Sequence, residues 1–210
     1  MGRAAAKFLS GVLLGVACLA ARAEVLPKDF LVLDPPRPVS TGARIEVIEF
    51  FYYGCPVCYE AQPYVARWKL KAGPGIAHLR VPAAFTESSE SFARTFFTLE
   101  AMGLLERLHW PLYENHHFDG KELNVEKNVT AWVAENGVDA ARFTEVWHSE
   151  HVSAQVESAK KALDTYSVKG VPTFVVDGRY LTSARIAGSV PHMMETVEYL
   201  VARAAAERKK

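Results

Sequence analysis

The spacing of apolar residues changes several times along this chain, and each change marks an element. Residues 8–19 are almost wholly apolar, follow the cations Arg3 and Lys7, and lead into the small-residue run Ala21-Arg22-Ala23. That run is too short to span a bilayer and has the form of a secretory signal, with an A-x-A site that places cleavage after Ala23. Residues 24–43 are proline-rich and without period, which predicts an arm. From Arg44 to Tyr53 the run R-I-E-V-I-E-F-F-Y-Y is β-branched and aromatic on both faces, as a buried central strand is, and Glu49 is its anomaly. Pro56 then sits where a first helical turn tolerates a missing N–H, and Cys58, Ala61, Val65 and Trp68 fall on one helical face. Pro63 is expected to kink that helix. Gly73-Pro74-Gly75 ends it, and Ile76 to Val81 predicts a second strand.

From Thr86 to Tyr166 the period is helical throughout. Asn124 and Asp139 are candidate N-caps, Asn136-Gly137 is a stop, and Val152, Val156, Ala159, Leu163 and Tyr166 make one apolar stripe. Strand patterns return at Thr173 to Val176 and Arg179 to Leu181, joined by Asp177-Gly178, a hairpin signal. Ser189 and Pro191 open a last amphipathic helix with Met194, Val197 and Val201 inward. The order predicts an α/β protein with a thioredoxin fold: a core from residues 44–85 and 168–210, and a helical domain, 86–167, inserted in it.

Composition narrows the picture. Half of the residues are hydrophobic and the formal charge is zero. Cleavage would remove three cations and no acids, leaving 21 basic against 24 acidic residues. Such a surface does not suggest nucleic acid. Cleavage would also remove Cys18 and leave only Cys55 and Cys58, which excludes a framework of structural disulfides. A rival reading makes Cys18, after Gly15-Val16-Ala17, the lipid-bearing first residue of a lipoprotein.

The candidate chemistry is Gly54-Cys55-Pro56-Val57-Cys58, placed where a buried strand ends and a helix begins. At that junction Cys55 lies near the helix N-cap, where unpaired N–H groups and the positive dipole end favour a thiolate, and Cys58 is one turn deeper. Cys55 then reads as the nucleophile and Cys58 as the resolving thiol, the alternative being two structural cysteines on one turn. Zinc would need a second ligand pair, and a c-type haem would need His where Tyr59 stands. A second signal is Gly170-Val171-Pro172-Thr173-Phe174: a proline entering a strand belongs either to an edge or to a cis bond that shapes a loop. His116-His117 and His148/His151 have no third ligand at metal-site spacing.

The segment E-F-F-Y-Y-G-C-P-V-C-Y, the helical stretch after it, and G-V-P-T-F-V-V-D-G with its trailing helix resemble the DsbA family of bacterial periplasmic dithiol oxidases. The resemblance implies a Cys55–Cys58 disulfide donated to newly exported polypeptides with free cysteines, a cis Pro172, and a Val171 backbone that pairs with extended substrate. It also implies reoxidation by a quinone-linked membrane partner like DsbB, and a proton-relay role for the buried Glu49. No bound cofactor is expected, and the protein is expected to be a periplasmic monomer. Val57 departs from the family's usual His, a residue that stabilises the nucleophilic thiolate. This departure keeps a less oxidising reductase or isomerase of the same fold as an alternative. A peptide-binding chaperone or a copper metallochaperone is the alternative from another class, though no His or Met ligand stands beside the pair.

Overall fold

The computed structural model describes residues 24–209. The signal segment and Cys18 lie outside them. A 3-10 turn, Pro27–Asp29, precedes strand β1 (Leu31–Val32). Then follow β2 (Ile45–Phe51), α1 (Pro56–Lys71), β3 (Ile76–Pro82) and five helices: α2 (Glu87–Ala101), α3 (Leu105–His117), α4 (Glu126–Glu135), α5 (Ala140–Trp147) and α6 (Glu150–Thr165). The chain closes with β4 (Thr173–Val176), β5 (Tyr180–Ser183), α7 (Ala184–Ala187) and α8 (Val190–Glu207).

The five strands form one sheet in the order β1-β5-β4-β2-β3. Only β2 and β3 run parallel, joined by the α1 crossover, and the other pairs are antiparallel. All seven residues of β2 are buried, which is why its pattern is apolar on both faces. One face (Ile45, Val47, Phe174, Val176) packs against Ala61, Val65 and Trp68 of α1 and Met193, Val197 and Leu200 of α8. The other (Ile48, Phe50, Val175, Leu181) is covered by Leu163, Tyr166 and Val168. A third cluster joins Phe51, Tyr53 and Cys58 to Phe92, Phe96, Leu112, Tyr113, Trp132, Phe143 and Val156, so the helices α2 to α6 pack against the end of β2 where the chemistry sits.

Most expected elements are present, with two differences. The α4 helix is capped by Val125 without a side-chain hydrogen bond, so Asn124 is not its N-cap, whereas Asp139 caps α5 by accepting from the N–H groups of Ala141 and Arg142. Pro63 lies within α1, which continues past it to Lys71. The arm contains a strand: β1 pairs with β5, and Arg37 N–H donates to the Gly178 carbonyl at 2.8 Å. Asp177 and Gly178 both have positive φ, 55° and 63°, in the tight turn that the Arg179 N–H closes on the Val176 carbonyl at 3.0 Å. A Cβ on Gly178 would collide with the Arg37 carbonyl oxygen, so the arm lies where only glycine leaves room.

The arm is also held by ionisable groups. Asp29 accepts from the Leu26 N–H at 2.7 Å and pairs with His192 on α8 at 3.0 Å, and His192 meets Glu195 at 3.2 Å. The hydrogen bond to Asp29, then that to Glu195, raises the His192 pKa above its ordinary 6.5. A group whose pKa is raised by folding contributes stability that is full below the unfolded pKa and lost as pH rises through the folded one. The melting-temperature gap between wild type and His192→Ala is therefore expected to be widest near about pH 5.5 and to shrink toward about pH 8. A gap independent of pH in thermal melts would contradict this pairing.

Candidate active site

The β2 strand ends at Phe51, and the backbone turns so that Cys55 N–H donates to the Tyr52 carbonyl at 3.0 Å. Cys55 is the N-cap of α1, with extended dihedrals (φ −88°, ψ 116°), and Pro56 occupies the first helical position. Its sulfur takes the place of a capping oxygen: the Cys58 N–H donates to Cys55 Sγ at 3.3 Å. The Cys58 side chain is fully buried, while Cys55 is partly exposed. The sequence expectation that the two sulfurs divide into an accessible one and a shielded one matches this geometry.

The two thiols are pushed apart in acidity. Hydrogen bonding from the Cys58 thiol is the largest influence on Cys55. It and the N–H groups of Cys58 and Val57 overcome partial burial and lower the Cys55 pKa to about 6. Burial, with the Cys55 sulfur and the Glu49 charge, raises the Cys58 pKa well above the ordinary thiol range. Near neutral pH the pair therefore holds a thiolate at Cys55 and a thiol at Cys58. Val57 is 39 % exposed and brings no charge or side-chain donor to Cys55.

Residues far away in sequence complete the surroundings. The Val171–Pro172 peptide bond is cis, and Cys55 Sγ lies 3.6 Å from the Val171 carbonyl oxygen. Val171 and Pro172 line a groove of about 340 Å³ with Leu31, Leu33, Tyr166 and Ile186. A second proline, Pro35, is also cis and lies in the arm. In β2, Glu49 is 1 % exposed. Gln62 Nε2 donates to its Oε1 at 2.9 Å, and Oε2 lies 2.9 Å from His78 Nε2 and 3.5 Å from Arg80 Nε, distances of ion pairing without well-aligned N–H bonds. Burial alone would raise the Glu49 pKa; the close contact and charge of His78 and the charge of Arg80 outweigh it and hold the carboxyl near 2.

Sequence reasoning brought together Cys55, Cys58, Pro56, Val57, Val171 and Pro172, and it noticed Glu49. It missed Gln62, His78, Arg80 and His109. One signal was available: His78 and Arg80 are two apart on a strand, so they share a face, and the parallel register sets Arg80 opposite Glu49. The histidines singled out from sequence have other roles. His117 Nε2–H donates to the Tyr53 carbonyl at 2.6 Å and its ring stacks on Tyr59, while His116 Nδ1–H donates to the Lys121 carbonyl. His148 meets Glu126 at 2.7 Å at the surface. Among the described residues no group of three or more His, Cys, Asp or Glu has the geometry to hold a metal ion.

A family model for the DSBA-like thioredoxin domain matches residues 69–199. A relative from Burkholderia cepacia named thiol:disulfide interchange protein DsbA is 35 % identical over 93 % of this chain and 95 % of its own length. Its counterpart from Pseudomonas aeruginosa PAO1 is 34 % identical over 87 % of both chains. The crystal structure of P. aeruginosa DsbA superposes with a TM-score of 0.82 at 34 % identity, covering 87 % of this chain and 95 % of that one. The oxidoreductase DsbA from Xylella fastidiosa superposes with a TM-score of 0.80 at 26 % identity over 87 % and 98 %. With that identity, that coverage and the shared thioredoxin-like architecture, this chain belongs to the DsbA family.

Proposed function

We propose that the protein is a thiol:disulfide oxidoreductase that donates a Cys55–Cys58 disulfide to polypeptides in the periplasm. The observation that carries the reading is the Cys55 sulfur, held at the α1 N-terminus 3.3 Å from the Cys58 N–H and 3.6 Å from the carbonyl of Val171. A substrate thiolate attacks Cys55 Sγ; the sulfur–sulfur bond breaks and its electron pair passes to Cys58, which takes up a proton. A second substrate thiolate then attacks the substrate sulfur of the mixed disulfide, forms the substrate's disulfide, and releases Cys55 as the thiolate that its surroundings favour. The Val171 backbone, beside Cys55 and two residues before β4, is suited to pairing with an extended substrate strand. Glu49 serves as the proton relay of the buried thiol.

The signal-like segment supports export, and a DsbB-like quinone-linked membrane protein would restore the disulfide. The helices between residues 86 and 167 read as an insertion in the thioredoxin-like core that walls the site. The absence of His at position 57 favours a weaker oxidant than relatives that carry it, which keeps the reductase reading as second. Equilibration of the Cys55–Cys58 pair with glutathione decides between them. An oxidase is expected to be largely reduced at a glutathione ratio that leaves an ordinary structural disulfide intact, and its thiolate absorbance is expected to titrate near pH 6. A pair that stays oxidised at that ratio, with a titration near pH 9, would overturn the oxidase reading.

A further inference from the structure

The groove that Val171 and Pro172 line carries charge of one sign. Lys169 and Arg185 line it, and no acidic side chain does. Both cations are exposed, and neither belongs to an ion pair among the described residues. Asp164 shares a neighbouring cleft with Lys169 and Lys160, but it makes no ion pair with Lys169 and does not line the groove. The chain as a whole leans the other way: without the three cations of residues 1–23 it holds 21 basic and 24 acidic residues. The positive sign is therefore local to the groove.

The fold brings these two residues together from separate segments. Lys169 stands two residues before Val171 in the loop that enters β4. The β4–β5 register sets Thr173 opposite Ser183, so Val171, two residues before the first, and Arg185, two after the second, lie at the same end of the hairpin. The groove's small hydroxyls are already engaged: Thr173 Oγ1 donates to the Gly170 carbonyl at 2.7 Å, and Ser183 Oγ accepts from the Ile186 N–H at 3.2 Å. Leu31, Leu33 and Ile186 supply apolar wall. Cations set in a groove with such walls focus their field on whatever extended chain lies in it.

Resting on the exchange reaction above, we propose that Lys169 and Arg185 are specificity-determining residues, which select extended segments whose attacking cysteine is flanked by aspartate or glutamate. In water, neighbouring carboxylates disfavour the thiolate and slow its attack on a disulfide. Pairing those carboxylates with Lys169 and Arg185 removes the handicap and adds attraction, so this protein reverses the order of reactivity that the peptides have by themselves.

Three dithiol peptides that differ only in the residues flanking the first cysteine (Asp, Ser or Lys) test this in single-turnover oxidation by the Cys55–Cys58 disulfide. Each rate is divided by that of the same peptide with hydroxyethyl disulfide, an uncharged reference. Exposed ion pairs are weak, so the normalised rate is expected to be about fivefold higher for the Asp peptide than for the Ser peptide, lowest for the Lys peptide, and level across the three at about 0.5 M salt. The double variant Lys169→Gln/Arg185→Gln is expected to flatten the order, and Lys169→Glu/Arg185→Glu to invert it. Equal normalised rates in wild type, or an acidic preference that survives in both double variants, would overturn the selectivity. A wild-type protein that oxidises none of the three peptides would instead overturn the exchange reading.

Discussion

Cys58→Ala is expected to abolish disulfide donation completely while leaving a protein that forms a single adduct through Cys55. Donation begins from the internal disulfide, and the variant cannot make one. Its Cys55 keeps the Val57 N–H and the helix terminus as support but loses the Cys58 thiol, the largest influence that lowers its pKa. The Cys55 pKa is thus expected to rise above about 6 yet stay below that of an ordinary thiol. Offered oxidised glutathione, the variant should accumulate a mixed disulfide that nothing inside the protein resolves. Intact-mass measurement counts the adducts, and peptide mapping places them. Cys55→Ala should give none near neutral pH, because its remaining thiol is buried and held protonated. Adducts in Cys55→Ala equal to those in Cys58→Ala would show that the assignment of nucleophile and resolving thiol is reversed.

The second large effect is expected of Val57→His: a more oxidising disulfide and a Cys55 pKa below that of wild type. Valine is 39 % exposed on the first turn of α1, so an imidazole there has room to reach the sulfur. Two influences compete. A cation on the first turn of a helix opposes the dipole at a cost of about 0.3–1 kcal/mol. A hydrogen bond to a charged group contributes about 1.5–3 kcal/mol, so the thiolate contact wins. Stabilising the thiolate stabilises the reduced protein, and a more stable reduced form means a stronger oxidant. Each pKa unit corresponds to about 1.4 kcal/mol, or roughly 30 mV for this two-electron couple. Thiolate absorbance and the glutathione equilibrium should move together. A raised pKa in the variant would show that the helix terminus already saturates the sulfur.

What could be read in the sequence is what local chemistry decides. The strand before Gly54, the proline at the first helical position and the spacing of Cys55 and Cys58 lie within a short segment, and each element's own pattern specifies it. The Asp177-Gly178 turn was legible because few residue pairs accept two consecutive positive φ angles. The Glu49 cluster was legible only in the shared face of His78 and Arg80, since their pairing with Glu49 and the approach of His109 come from a parallel neighbour and a helix beyond it. Nothing local marks a histidine that will be buried among Phe51, Phe96, Tyr53 and Tyr113. Asn124 failed as a cap for a related reason: side chains that suit helix starts suit turns equally well, and here the helix begins two residues later, at Glu126.

The unequal exposure of the two sulfurs also governs how the reduced protein meets peroxide. Cys55, ionised near neutral pH and partly exposed, is the sulfur that oxidants reach, and its first product is a sulfenic acid. A lone thiolate would continue to the irreversible sulfinic acid. Cys58 waits one helical turn away, protonated and enclosed. Its attack on the sulfenic sulfur expels water and leaves the Cys55–Cys58 disulfide, so an oxidative injury is converted into the form that serves as the oxidant.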